Sequence, residues 1–201
     1  MNGNPILITA LLILGATAAI WLPALLERRL KITIHTAAKV IFVAFLFCSI
    51  FLGEVFDFFY RIPRWDDILH CTSGALTAYL AFIVLQALSA RSSGSFRLPA
   101  AACAVFAFCF ALSVGAVWEL YEFSMDGLFG MNMQKAVLQS GEILAGHTAI
   151  ADTMADIAVD CAGAVLASLL CCLSAKRRKA TAAAPARGTA SYRKADKSQA
   201  A

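Results

Sequence analysis

Long apolar runs separated by short polar stretches set the pattern of this chain. Five runs stand out, at about residues 5–26, 32–56, 68–90, 98–118 and 153–175. Each is near the roughly 20 residues that an α-helix needs to cross a bilayer core. No stretch alternates apolar and polar residues at period two, which argues against a membrane β-barrel. The first run has no basic segment before it and exceeds the roughly 7–15 apolar residues of a signal peptide. It reads as a retained helix. The pattern predicts an all-α membrane protein, a bundle of about five transmembrane helices.

The polar positions between the runs are sorted by sign. Arg28, Arg29 and Lys31 lie between the first and second runs, Arg91 and Arg97 between the third and fourth, and eight more basic residues follow Ala175. With Lys39, this puts 14 of the 17 basic residues at one end of the bundle and only Arg61, Arg64 and Lys135 at the other. Basic loops favour the cytoplasm, so the N-terminus is expected outside and the C-terminus inside. Residues 1–175 form the expected bundle. Residues 176–201 read as a basic, disordered cytoplasmic tail whose first four residues suit anionic lipid headgroups. A stop-transfer cluster followed by solvated chain is the simpler account of that tail. Nothing else points to nucleic acid as a partner.

Composition agrees. The 201-residue chain is 60% hydrophobic with mean hydropathy +0.73, above the roughly 45–50% apolar content of soluble domains. The seven cysteines all lie within apolar runs and form no CxxC pair. They read as small packing residues rather than a disulfide framework. Residues 127–150 contain four glycines, and 131–139 reads as a short amphipathic helix or a plain loop over the outer mouth.

The acids carry the candidate chemistry. Eleven of the 13 lie between Glu54 and Asp160, at or inside the outer ends of the apolar runs. Asp152, Asp156 and Asp160 recur every fourth residue, so they share one helix face. Intramembrane acids are costly and need a cation, a proton path or a metal. Asp66 and His70 are spaced i, i+4, and Asp67 and His70 i, i+3; either pair meets on one face. Small Ser73 and Gly74 follow, which allow close helix approach. Glu119, Glu122 and Asp126 form a third such row, beside Trp118 and Tyr121.

Structural alternatives exist for each. Asp152, and Asp66 or Asp67, suit helix N-caps. Glu122 suits a wet interfacial collar, and Asp160 an uncharged acid hydrogen-bonded between helices. Asp57 with Arg61, and Arg64 with Asp66 or Asp67, suit simple ion pairs. Four helices nevertheless bring acids to the same side, a known way to build metal sites in bundles.

Taken in order, Asp66-x-x-x-His70-x-x-x-Gly74, Trp118-Glu119-x-x-Glu122 and Asp152-Thr153-x-x-Asp156 with Gly163-Ala164 resemble the YjdF-like bacterial inner-membrane proteins. The resemblance covers about residues 66–164. It implies a small multi-pass protein of the bacterial inner membrane, with no assigned reaction. Asp160 and the tail lie outside the pattern.

The residues together point to a metal-dependent enzyme at the outer leaflet, acting on a lipid or lipid-linked group. His70, Glu119, Glu122, Asp152 and Asp156 are the expected ligands, and Asp160 and Asp67 the expected catalytic or supporting acids. Carboxylates with one His suit Mn²⁺, Mg²⁺ or Zn²⁺. A proton-coupled transporter is the competing reading, because buried Asp and His also build proton relays. A non-catalytic accessory protein is the third.

Overall fold

A computed structural model describes residues 5–92, 97–138 and 140–183. Its elements are α1 (Pro5–Ala19), α2 (Leu22–Leu30), α3 (Thr36–Leu46) continued by a π-helix (Phe47–Val55), α4 (Phe58–Arg61), α5 (Trp65–Arg91), α6 (Ala100–Phe129) and α7 (His147–Ala183). Among the described residues, four helices are long and apolar enough to cross a membrane: Thr36–Val55, Trp65–Arg91, Ala100–Phe129 and His147–Ala182.

The first apolar run is divided where a single helix was expected. A turn at Ile20 and Trp21 separates α1 from α2, and Pro23 lies in the first turn of α2. Proline has no N–H to extend the preceding ladder. Helix α1, with 15 residues, spans about 22 Å, short of a core of about 30 Å.

Helices α5, α6 and α7 pack on one another and form the centre; α3 touches α5, and α1 leans on the π-helix. The packing is inverted relative to a soluble protein. The buried positions carry small side chains, among them Ala78, Cys103, Ala107, Ala111 and Ala164, while Phe106, Phe110, Val117, Leu166 and Leu170 face outward. Lipid is as apolar as leucine, so helices gain by close backbone approach rather than by hiding large side chains. Gly163 sits against the Cys71 carbonyl and Gly74 against the Asp160 carbonyl, with no room for a Cβ at either. These two glycines set the α5–α7 crossing.

At the basic end, Arg91 donates to the Lys31 carbonyl at 2.6 Å, which joins the connection after α2 to the end of α5. Glu27 accepts from the Ile34 N–H at 2.8 Å and from Lys39 at 3.0 Å. That backbone bond and the lysine hold the Glu27 carboxyl below its usual range. At the opposite end the chain turns sharply: Asp57 and Arg64 both take left-handed backbone, flanking α4.

Several local expectations change. Residues 131–138 follow the plain-loop alternative rather than the short helix, with turns and an isolated bridge, Val137 to Ile143. Lys135 is left-handed, with φ 50°, and Asp126 takes the N–H groups of Met133 and Gln134. Gln139 lies outside the described residues. Asp152 is not an N-cap, because α7 begins at His147, and Asp66 and Asp67 fall in the first turn of α5 rather than at its cap. Helix α7 also runs on through Lys176 to Ala183, into the segment expected to be a disordered tail. Lys176, Arg177, Arg178 and Lys179, the residues expected to meet anionic lipid, thus lie on α7, and residues 184–201 lie outside the described residues.

Candidate metal centre

Each central helix contributes from near its acidic end. Helix α5 supplies Asp66, His70 and Ser73, one turn apart. Helix α6 supplies Glu119 and α7 supplies Asp156 and Asp160. The side chains converge because small residues let the backbones approach. Gly115 lies directly against the Asp160 carboxylate, with no space for a side chain of its own.

His70 is the hub. Its Nδ1 is 3.1 Å from Asp160 Oδ2, and the Ser73 hydroxyl donates to Asp160 Oδ1 at 2.9 Å. An Nδ1–H that donates to the Asp160 carboxyl orients the ring and turns Nε2 toward the other acids. Nε2 faces Glu119 Oε1 at 3.8 Å and Asp66 Oδ1 at 3.9 Å. These gaps exceed hydrogen-bond length. They approach the separation of ligands that share an ion at about 2.0–2.2 Å.

Asp66, His70 and Asp156 each offer one ligand atom within 4.8 Å of the others. Burial makes this juxtaposition costly without a cation: His70 is 6% exposed, Glu119 4%, Asp156 1% and Asp160 1%. Both oxygens of Glu119 and Oδ1 of Asp156 are buried with no hydrogen-bond partner. The Thr153 hydroxyl faces Glu119 outside hydrogen-bond geometry and accepts from Gln134 at 2.9 Å. A buried carboxylate oxygen left unpaired is strongly unfavourable. A divalent ion bound by Nε2 and these oxygens would remove that cost, so the donors present fit a metal.

The remaining candidates stand apart. Glu122 is buried but accepts from the Trp118 indole at 2.8 Å. Asp152 is partly exposed, 3.9 Å from Lys135. Asp67 pairs with Arg64 at 3.0 Å away from His70, while Asp57 and Arg61 form a loose, exposed pair at 3.7 Å. Asp66, which the sequence offered only as an alternative to Asp67, takes the inward place. Lys135 was not expected at the site. It crosses from the α6–α7 loop to pair with Asp66. Burial pushes its ammonium pKa down, against the pull of Asp152 and the neighbouring acids.

Beside the cluster, a cavity of about 1180 Å³ lies between the π-helix, α5 and α6. His70, Asp66, Asp160 and Lys135 line its polar end; Phe45, Leu46, Ile50, Ala111 and Val114 line its apolar part.

A family model described as a predicted membrane protein (DUF2238) matches residues 6–177. It agrees with the membrane class that the order of the motifs implied. No curated protein matches the chain. No solved structure matches it either.

Proposed function

The chain belongs to that family of predicted membrane proteins, and from this premise we propose that it is a metal-dependent enzyme of the bacterial inner membrane. Its substrate is a lipid or lipid-linked group. His70 Nε2, Asp66, Asp156 and Glu119 hold a divalent ion, and Asp160 orients His70. The observation that carries this reading is the set of unpaired, buried oxygens on Glu119 and Asp156 beside His70 Nε2, which faces Glu119 at 3.8 Å and Asp66 at 3.9 Å. A bound divalent ion supplies Lewis acidity and an activated water. The chain's residues then divide the other tasks. Asp160 and Ser73 fix the His70 ring, the small-residue helix contacts keep water from the buried oxygens, and the adjoining cavity admits the apolar part of the substrate.

The family match and the apolar helices support a multi-pass membrane location. Five crossings, with the N-terminus outside, follow if α1 and α2 cross together as one broken span. The contact of α1 with the π-helix and the Arg91 bond to Lys31 favour that arrangement.

Metal content decides between this reading and proton-coupled transport. Protein purified in mild detergent and assayed by mass spectrometry should carry stoichiometric Mn, Mg or Zn. His70→Ala should lose it, and Glu119→Gln, which keeps shape, should weaken it at least about ten-fold. Chelation should lower the melting temperature of the wild type, because a ligand bound only by the folded state stabilises it. A metal-free wild type, insensitive to chelator but conducting protons in liposomes, would establish the transporter instead.

A further inference from the structure

The large cavity is amphipathic along its length. Its polar end sits at His70, and on α5 it extends to Thr77, seven residues and about 10 Å deeper toward the middle of the membrane. The deeper wall is apolar. A water-filled pocket would gain nothing from that wall, whereas an amphiphile fills both ends.

The polar end is rich in carboxyl groups. Five carboxylates line the cavity, on Glu54, Asp57, Asp66, Glu122 and Asp160, against one ammonium on Lys135 and the His70 ring. Arg61 lies near Asp57, at 3.7 Å, and carboxyl groups still outnumber basic side chains here. A divalent ion at the buried cluster sets two charges against three ligand carboxylates, Asp66, Asp156 and Glu119, and Asp66 turns Oδ1 to His70 and Oδ2 to Lys135. Carboxyl groups beside an ammonium, as Asp66 and Asp152 lie beside Lys135, suit a cationic headgroup better than an anionic one.

Lys135 shows what such a headgroup meets. Its ammonium pairs with Asp66, lies 3.9 Å from Asp152 and stands 5.3 Å from the centre of the Phe59 ring. Carboxylates and an aromatic face within reach of one nitrogen make an ammonium receptor. The lysine comes from a loop and has left-handed backbone, with φ 50°. That conformation is strained for a residue with a Cβ and persists only where its surroundings hold it.

We propose that Asp66, Asp152 and Phe59 form a subsite for the ammonium of an amine-bearing amphiphile, and that Lys135 occupies it until the ligand arrives. The inference rests on the reading of this cavity as the place of a lipid substrate. It adds the class: a lipid or lipid-linked molecule with a primary amine in its head. The lysine is then a tethered competitor, present at high effective concentration, and its release frees the loop that carries it.

The test uses the full chain in detergent with EDTA present, so that it is independent of metal. Octylammonium, octanol and octyl phosphate are titrated by calorimetry into wild type, Lys135→Ala and Lys135→Gln. The expected order is octylammonium tightest and octyl phosphate weakest. Both variants should bind octylammonium at least about five-fold more tightly than wild type, because the competitor is gone. Phe59→Leu should reduce that affinity a few-fold. Octyl phosphate or octanol binding as tightly as octylammonium would overturn the proposal. So would ammonium affinity unchanged by both lysine variants. A metal-loaded protein with no ammonium preference sinks this inference alone; ammonium preference in a protein that never binds metal sinks only the metal centre.

Discussion

Asp156 and Asp67 are both acids in the outer half of the bundle, and the structure treats them oppositely. Asp156 is buried with an unpaired oxygen, while Asp67 pairs with Arg64. Asp156→Asn should lower metal affinity at least about ten-fold and leave chelator-treated stability unchanged or higher, since asparagine is cheaper to bury than an ionised acid among acids. Asp67→Asn should change neither by more than about 1 kcal/mol, as expected of an exposed pair. Calorimetric metal titration and melting of the chelated variants measure both. Equal effects of the two changes would remove Asp156 from the site. The spacing showed that either Asp66 or Asp67 meets His70, but i+3 and i+4 neighbours differ only in which side of the helix they favour. The rotation of α5 against α7 decides between them, and that rotation is set by Gly74 and Gly163 meeting backbone on the opposite helix. The role of Lys135 was hidden for another reason: a lone lysine in a glycine-rich loop carries no periodicity.

At the scale of the element, apolar runs located α3, α5, α6 and α7, because about 20 apolar residues have few other uses. Their ends were not legible. Helices α6 and α7, with 30 and 37 residues, reach about 45 and 55 Å, well past the apolar core, because alanine, glutamate and lysine continue a helix in water as readily as in lipid. The π-helix after Leu46 was also invisible, since its residues are as apolar as those before it. The glycine contacts give a prediction for these elements. Gly163→Ala puts a methyl into the Cys71 carbonyl and should cost about 1–3 kcal/mol, as overpacking does. Gly15→Ala on α1 meets nothing within 4 Å and should be neutral or favourable by up to about 1 kcal/mol. Thermal unfolding in one detergent compares them. A Gly163→Ala protein as stable as Gly15→Ala would mean that the α5–α7 crossing is looser than described.

For the whole molecule, charge separates the two ends: basic connections at Lys31 and Arg91, acids and the cavity at the other. Green fluorescent protein fused after Ala201 should fluoresce in the cytoplasm, and alkaline phosphatase inserted near Lys135 should be active outside. A dark fusion at Ala201 together with a dark one at Arg91 would reverse the orientation. The molecule is also joined at one point in particular. Asp160 presses its carbonyl on Gly74 of α5, its carboxylate on Gly115 of α6, and holds His70 and Ser73 with the same carboxylate. Inheritance is thereby constrained. A lineage cannot enlarge residue 74 or 115, or exchange the acid at 160, without disturbing the contacts that hold the histidine. These positions are expected to change together or not at all, so the chemistry and the architecture of this bundle evolve as one character.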